Sequence, residues 1–118
     1  KGLIDAMNID LKSFSDETYK KICNARLQPV LDTIKRAHNA GIHVEITTLL
    51  IPGVNDKEEE LENIAKFIAE INENIPWHIS RFFPLYKMQN KQATPKEKLK
   101  LAEKIGKKHL KNIYLGNL

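Results

Sequence analysis

Cysteine is almost absent from this chain, which has a single one, Cys23, among 118 residues. One thiol cannot form a disulfide within the chain, and it cannot by itself supply the several cysteines of a zinc or iron–sulfur site. No apolar run approaches the length of about 20 residues that a membrane-spanning helix needs, and no signal-peptide pattern is visible. We therefore predict a cytoplasmic location in a reducing compartment and no membrane partner.

Glycine and proline are also scarce, with five residues of each, whereas 42% of the residues are hydrophobic and 29% are charged. This balance is typical of a globular domain, because its apolar side chains can offset the entropy lost when the chain is ordered. The length fits a single domain, residues 1–118. Since the chain begins at Lys1 and enters an apolar segment at once, we interpret it as part of something longer.

Acidic residues are the minority, and the net charge is +4. A nucleic-acid-binding surface would interleave the excess lysines with aromatic residues or gather them on one groove-facing surface. Most of the lysines in the last third stand instead at positions that solvate a helix, so we predict no nucleic-acid partner. These lysines are Lys87, Lys91, Lys96, Lys98, Lys100, Lys104, Lys107, Lys108 and Lys111.

Strand-like and helix-like patterns alternate along the chain. Strands are predicted at residues 6–11, as a buried strand, and at 44–50, 77–83 and 112–115. Apolar stripes with helical spacing lie between them. The order implies an α/β fold with about four parallel strands and crossover helices, and both an open doubly wound sheet and a piece of a β/α barrel fit it.

Helix boundaries can be predicted from capping residues. Ser15 is expected to cap a short helix, and Pro29 to occupy the first position of the next one, which Gly41 ends. Asp56 with Glu59, and Thr94 with Pro95 and Glu97, resemble capping boxes of two further helices.

Ligands of parallel α/β folds collect where strands end, which selects four segments. They are Asp10-Leu11-Lys12, residues 50–56, residues 83–87, and Gly116-Asn117. Asp10 and Lys12 are two residues apart, so their side chains point the same way on an extended segment. Together they can bind a ligand that carries an amine or hydroxyls and a carboxylate. The alternative is an ion pair at the rim of the sheet.

Other polar residues near the strands are weaker candidates. Thr47 and Leu49 share one face of the second strand and Thr48 and Leu50 share the other; we expect one face to point to the ligand side and the other to the helices. Arg81 is suited to bind a carboxylate or phosphate, whereas His78 begins its strand and is expected to be structural. The sequence contains no phosphate loop, dinucleotide fingerprint, nucleophile elbow or zinc pattern.

Three stretches, taken in order, resemble the later strands of radical S-adenosylmethionine proteins of the pyruvate formate-lyase activating group. The resemblance covers nearly the whole chain and is greatest to the branch labelled the AmmeMemoRadiSam-system radical enzyme. The stretches are Asn8-Ile9-Asp10-Leu11-Lys12, Val44-Glu45-Ile46-Thr47-Thr48-Leu49-Leu50-Ile51-Pro52-Gly53, and His78-Ile79-Ser80-Arg81-Phe82-Phe83-Pro84-Leu85-Tyr86.

The resemblance implies a partial triosephosphate-isomerase-type barrel, of which this chain is the C-terminal half. It implies S-adenosylmethionine and a [4Fe–4S] cluster as cofactors, with the three cysteine ligands of the cluster outside this chain. Cleavage of S-adenosylmethionine would give a 5′-deoxyadenosyl radical that abstracts hydrogen from a substrate. In the activating enzymes this substrate is a glycine of a partner protein. We expect the chain alone to be inactive.

The resemblance also implies cofactor-binding residues. Asp10 and Lys12 match the acid–lysine pair that contacts S-adenosylmethionine, and Leu49 matches an apolar position near the adenine. Thr47 stands where the activating enzymes tend to carry an arginine. Tyr86 lies in the segment after the next strand, where they place a histidine.

Two alternatives remain open at this point. The chain could be half of another β/α-barrel enzyme, with a phosphate site at Gly116-Asn117, or a non-catalytic α/β interaction module. A half barrel would leave open strand edges, so self-association is also expected.

Overall fold

The computed structural model of the chain describes residues 6–83 and 93–117. Strands and helices alternate within them, except that two helices separate the first strand from the second. The elements are β1 (Ala6–Asp10), α1 (Asp16–Cys23), α2 (Leu27–Asn39), β2 (His43–Leu50), α3 (Glu58–Ile71), β3 (Trp77–Arg81), α4 (Lys96–Lys107) and β4 (Ile113–Gly116). None of the helices in this described part is long and apolar enough to cross a membrane.

The four strands form one parallel sheet in the order β1-β2-β3-β4. A doubly wound sheet would reverse its strand order and carry helices on both faces. Here the strands follow in chain order, and the alternation of buried and exposed residues along β2 indicates that the helices pack on one face. The predicted fold class, a piece of a β/α barrel with four parallel strands, is confirmed.

The two faces of the sheet differ in burial. The face that we call the covered face packs against the helices. Its β2 residues, Trp77 and Ile79 of β3 and Ile113 of β4 are 0–8% exposed, and Leu115 of β4 is partly buried. The other, which we call the open face, carries polar residues with two large apolar side chains, Leu49 and Tyr114. The covered face includes Met7, Ile9, Val44, Ile46, Thr48, Leu50, Trp77, Ile79, Ile113 and Leu115; the open face includes Asn8, Asp10, His43, Glu45, Thr47, Leu49, His78, Ser80 and Tyr114.

Two polar groups in the covered core satisfy each other. The hydroxyl of Thr48 donates to the carbonyl of Leu11 at 2.8 Å and accepts from the indole N–H of Trp77 at 3.0 Å. Since an unpaired polar group would be costly at this depth, the bonds tie the end of β1 to β2 and β3.

The prediction that the first strand is buried is wrong. Residues of β1 are exposed at Ala6, Asn8 and Asp10 and half-buried at Met7 and Ile9. The reason is position, because β1 is an edge strand of this sheet and only Met7 and Ile9 reach the core below it.

The first helix begins as predicted and the second ends as predicted. Ser15 caps α1, accepting a hydrogen bond from the Thr18 N–H at 3.2 Å. Gly41 follows α2 with φ of +84°, a conformation that glycine adopts without strain. Pro29, however, is the third residue of α2 rather than the first, because the helix begins at Leu27.

Two predicted capping boxes are wrong. The Asp56 carboxylate accepts from the Gly53 N–H at 3.1 Å, and α3 begins two residues later at Glu58. Thr94 is buried and its hydroxyl donates to the Leu50 carbonyl at 2.5 Å and accepts from the Phe82 N–H at 3.0 Å. Asp56 closes a local turn and pairs with Lys98 at 3.8 Å, and Thr94 is used in tertiary contacts, so neither side chain caps the helix that follows.

Candidate functional site

A cleft opens at the carboxyl ends of the strands, on the open face of the sheet. Its volume is about 440 Å³, within the range of about 300–1,000 Å³ that is usual for small-molecule sites. Strands β1, β2 and β3 contribute to it, together with the residue that follows β4. Its lining consists of Asp10, Lys12, Ser13, Thr18, Tyr19, Thr47, Leu49, Ile51, Val54, Asn55, Ser80 and Asn117.

The acid and the lysine predicted at the end of the first strand both line this cleft. Lys12 Nζ lies 3.4 Å from Asp10 Oδ2, so the two side chains point the same way as the spacing predicts. Both are at least half exposed. The ion pair of the alternative interpretation is therefore present, and the exposure leaves both groups able to bind a ligand, since an exposed ion pair contributes little to stability.

The backbone of Lys12 is held by the helix that follows. Its N–H donates to the hydroxyl of Tyr19 at 2.8 Å, and Tyr19 is buried in the core. The side chain of Glu60 in α3 accepts from the hydroxyl of Ser13 and from the N–H of Phe14, the latter at 3.1 Å. These bonds fix the turn between β1 and α1, and with it the backbone position of Lys12.

Thr47 and Leu49 form the part of the cleft that β2 supplies. The hydroxyl of Thr47 donates to Asn8 Oδ1 on the neighbouring strand at 2.7 Å. Leu49 is 40% exposed and gives this part of the open face an apolar surface. The cleft thus combines a charged end at β1 with an apolar surface at β2, which suits a ligand that has both kinds of surface.

Asn55 lies within the candidate segment 50–56, but no role was predicted for it from the sequence. Its side chain is 2% exposed and lies between the turns that follow β1 and β2. The amide donates to the carbonyls of Lys12 and Leu49 at 2.7 and 2.8 Å, and its oxygen accepts from the Ile51 N–H at 2.8 Å. The only signal in the sequence is an amide residue two positions after Gly53 of the Pro52-Gly53 pair.

Ser80 and Asn117 bring the third and fourth strands into the cleft. Ser80 is on the open face of β3, and Asn117 follows β4 with φ of +61°, a conformation that asparagine tolerates better than most residues. The segment Gly116-Asn117 therefore joins the same cleft as Asp10 and Lys12 rather than forming a separate site.

Three other candidates lie elsewhere. Arg81 points away from the cleft, since its Nε donates to the Thr94 carbonyl at 2.7 Å and its guanidinium lies 4.8 Å from the ring centroid of Phe83. It is thus bound to the protein rather than to a ligand.

His78 is paired with Glu45 at 2.6 Å and stacks on Tyr114, in agreement with its predicted structural role. Tyr86 lies outside the described residues.

Glu45 accepts hydrogen bonds from two imidazole rings on the open face. His43 Nε2 lies 3.0 Å from Glu45 Oε2, and His78 Nε2 lies 2.6 Å from Glu45 Oε1. The bond from His43, and after it the bond from His78, lowers the pKa of Glu45 below its ordinary 4.5. This cluster is at the opposite end of the strands from the cleft, and it links β2 to β3.

Metal-ligating residues do not converge in the described part of the chain. Across residues 6–83 and 93–117, no group of three or more His, Cys, Asp or Glu side chains could hold a metal ion. With one cysteine in the sequence, the chain cannot supply the three cysteines of a [4Fe–4S] cluster.

Comparison with known protein families gives a match over residues 1–68 to the model of the radical SAM superfamily. The chain belongs to the radical SAM superfamily. The matched segment contains β1, β2 and most of α3, and therefore includes Asp10, Lys12, Thr47 and Leu49.

Two curated relatives align over almost all of this radical SAM chain. An uncharacterized protein of Methanocaldococcus jannaschii is 44% identical over 117 residues, covering 98% of this chain and 35% of that protein. The pyruvate formate-lyase-activating enzyme of Clostridium pasteurianum is 30% identical over 117 residues, covering 90% of this chain and 49% of that enzyme. The chain thus spans between about a third and a half of the length of these relatives.

A solved structure shares the fold. The crystal structure of a domain of pyruvate-formate lyase-activating enzyme from Bacteroides vulgatus superimposes with a TM-score of 0.84, covering 96% of this chain and 68% of that one. The two sequences are 21% identical, so the likeness is one of architecture, the partial barrel of the radical SAM proteins.

Proposed function

We propose that this chain supplies the S-adenosylmethionine-binding half of a radical SAM enzyme of the glycyl-radical activating type. One observation carries the proposal. Asp10 and Lys12 lie side by side at a strand end, both accessible, in a cleft that Thr47 and Leu49 also line. The radical SAM family match includes all four residues.

The donor set of the cleft fits S-adenosylmethionine. The Asp10 carboxylate can accept hydrogen bonds from an amine or from ribose hydroxyls, and the Lys12 ammonium can donate to a carboxylate or a ribose oxygen. The exposed side of Leu49 can pack against the adenine, and Thr47 offers a hydroxyl beside it. Tyr86, the fifth cofactor-binding residue that the resemblance implies, stays a prediction.

The [4Fe–4S] cluster does not fit these 118 residues, because they contain one cysteine. We therefore propose that residues 1–118 are the C-terminal half of a radical SAM barrel and that the cluster is held by a segment outside them. The chain alone is expected to assemble no cluster and to have no turnover. Anaerobic reconstitution that yielded a cluster on the isolated chain would contradict this.

The reaction proposed for the whole enzyme is abstraction of hydrogen from a protein partner. S-adenosylmethionine, if bound to a reduced cluster held outside this chain, would supply the radical that abstracts the hydrogen. The likeness to a pyruvate formate-lyase-activating enzyme supports a glycine of a partner protein as the substrate. This chain's residues would bind and orient the cofactor, and we propose a cytoplasmic location for the enzyme.

The reading frame upstream of Lys1 tests the assignment of the cluster. We expect it to encode a Cys-x₃-Cys-x₂-Cys loop after a predicted strand. A frame that began within a few residues of Lys1 would instead favour the non-catalytic interaction module.

Substitutions in the cleft test the binding site in the cluster-loaded enzyme. Asp10→Asn and Lys12→Ala are each expected to raise the Kd for S-adenosylmethionine about tenfold, because each removes a charge-assisted hydrogen bond. The matched controls are Glu73→Gln and Lys111→Ala, which break an exposed ion pair of 3.5 Å outside the cleft lining. Calorimetric titration should show the controls unchanged. Equal losses in both pairs would mean that Asp10 and Lys12 do not touch the cofactor.

Self-association of the isolated chain is proposed from the topology. The strand order places β1 and β4 at the edges of the described sheet, and an edge strand presents backbone groups that can pair with another chain. Sedimentation at rising concentration should show a growing share of dimer, whereas a monomer at all concentrations would contradict this.

A further inference from the structure

Asn55 joins the two strand-end segments that carry the charged and the apolar parts of the cleft. Lys12 follows β1 and Leu49 is in β2, and the carbonyls of both accept from the single side-chain amide of Asn55. The side chain is almost completely buried, so water competes little for these bonds. The Asn55 side chain has no charge, and it acts through geometry alone.

The backbone hydrogen bonds between β1 and β2 end one residue before the carbonyl that Asn55 binds. The last bond between the first two strands runs from the Leu11 N–H to the Thr47 carbonyl at 3.0 Å. One residue later the backbone of Lys12 is bound by side chains, with its N–H on the Tyr19 hydroxyl and its carbonyl on Asn55 at 2.7 Å. The orientation of Lys12 therefore depends on side-chain contacts rather than on the sheet.

Asn55 also shapes the turn after β2. Its oxygen accepts from the Ile51 N–H at 2.8 Å while its amide binds the Leu49 carbonyl at 2.8 Å. Both Leu49 and Ile51 line the cleft. The Asn55 side chain thus sets the distance between the backbone of Lys12 and the apolar part of the cleft at Leu49 and Ile51.

We propose that Asn55 is a positioning residue for S-adenosylmethionine, acting through Lys12 and Leu49; the inference rests on the proposed function. A merely local role is the alternative, in which Asn55 only closes its own turn by accepting from Ile51. The two roles use different atoms of the side chain, because positioning needs the amide N–H groups and turn closure needs the oxygen.

Asn55→Asp separates these roles. The aspartate keeps the shape and the acceptor for the Ile51 N–H, but it places an oxygen against the carbonyls of Lys12 and Leu49. If Asn55 positions the cofactor site, Asn55→Asp is as impaired as Asn55→Ala, and each raises the Kd for S-adenosylmethionine about tenfold. If Asn55 only closes its turn, Asn55→Asp binds like the parent enzyme, and the inference is overturned.

A double-mutant cycle in the cluster-loaded enzyme tests whether Asn55 acts through Lys12. We expect Asn55→Ala to raise the Kd much less in the Lys12→Ala background than in the parent, because the group that it positions is already gone. Full additivity would overturn the inference. Thr94→Val is the control, since it removes a buried hydroxyl that binds Leu50 and Phe82 instead of the two positioned residues.

Failure of the two proposals can be told apart. A parent enzyme that does not bind S-adenosylmethionine overturns the proposed function and, with it, the cofactor role of Asn55. A parent enzyme that binds, with Asn55→Asp unchanged, overturns the positioning role alone. Amide hydrogen exchange without cofactor supplies an independent readout. Asn55→Asp should accelerate exchange around residues 11–13 and 49–51 selectively, whereas acceleration throughout the sheet would indicate a structural role only.

Discussion

The two faces of the sheet are formed by the same strands but have different roles. Along β2, the residues of the covered face are at most 2% exposed, whereas Leu49 on the open face is 40% exposed. The covered face holds the hydrophobic core, and the open face holds the cleft and the Glu45 cluster. Because side chains alternate along a strand, stability and ligand binding can be altered separately in neighbouring residues.

The two faces also give chemically identical neighbours in one strand different roles. Thr47 and Thr48 are adjacent and chemically identical, yet Thr48 binds Leu11 and Trp77 within the core and Thr47 lines the cleft. In a protein with helices on both faces of its sheet, both positions would be buried. The open face is therefore the side on which a functional surface is expected.

The largest contrast is expected between two aromatic residues on opposite faces. Trp77→Ala should lower the free energy of unfolding by about 3–5 kcal/mol, because it empties a fully buried site. Tyr114→Ala, at an open-face position that is 52% exposed, should cost less than about 1 kcal/mol. Urea denaturation of both variants measures the difference. A cost for Tyr114→Ala close to that for Trp77→Ala would mean that the open face is covered in solution.

A smaller effect is expected for hydroxyl groups. Thr94→Val should cost about 1–3 kcal/mol, because it leaves the Leu50 carbonyl and the Phe82 N–H without the buried hydroxyl that pairs them. Thr33→Val is the matched control on the exposed side of α2, where the hydroxyl donates to the Pro29 carbonyl at 2.8 Å. Thermal denaturation should place the control within about 0.5 kcal/mol of the parent. Equal costs would contradict the role of Thr94 as a buried link.

The smallest effect is expected at Glu45, and it depends on pH. Its lowered pKa means that the folded chain releases the Glu45 proton more readily than the unfolded chain does. The stabilisation is therefore fully present above the ordinary value of 4.5 and is lost as the pH falls through the lower folded pKa. Glu45 is about a third exposed, and solvent screening should keep the contribution below about 1 kcal/mol.

Glu45→Gln provides the measurement. Unfolding free energies of parent and variant should differ at pH 7 and converge as the solution is acidified below 4.5. A gap that widened on acidification would have the wrong sign and would contradict the pairing with His43 and His78.

Much of the fold could be predicted from the sequence because it depends on periodicity. The apolar run at 44–50 and the stripe of Leu61, Ile64 and Ile68 mark β2 and α3 whatever their neighbours are. The burial of β1 could not be predicted in this way, since it depends on which strands flank it. The prediction that Thr94 caps a helix was wrong for a similar reason, because its hydroxyl binds the carbonyl of Leu50, which lies 44 residues away in the sequence.

Some residues of the candidate site could also be predicted from the sequence, and others could not. Asp10 and Lys12 could be found because a strand end and a spacing of two residues predict their direction, which the 3.4 Å ion pair confirms. Asn55 could not, because one of its carbonyl partners is 43 residues away and only the folded chain brings it close. The direction of side chains at strand ends follows from the sequence pattern, whereas the contacts that hold those segments in place depend on the tertiary structure.

Amide chemical-shift mapping of the isolated chain with S-adenosylmethionine tests the central claim most directly. The account predicts saturable shifts at Asp10, Lys12, Thr47 and Leu49, with smaller changes at Ser80 and Asn117, and none in the surface helix α2. Shifts confined to the Glu45 cluster at the other end of the strands, or no shifts at millimolar cofactor, would contradict the assignment of the strand-end cleft as the cofactor site.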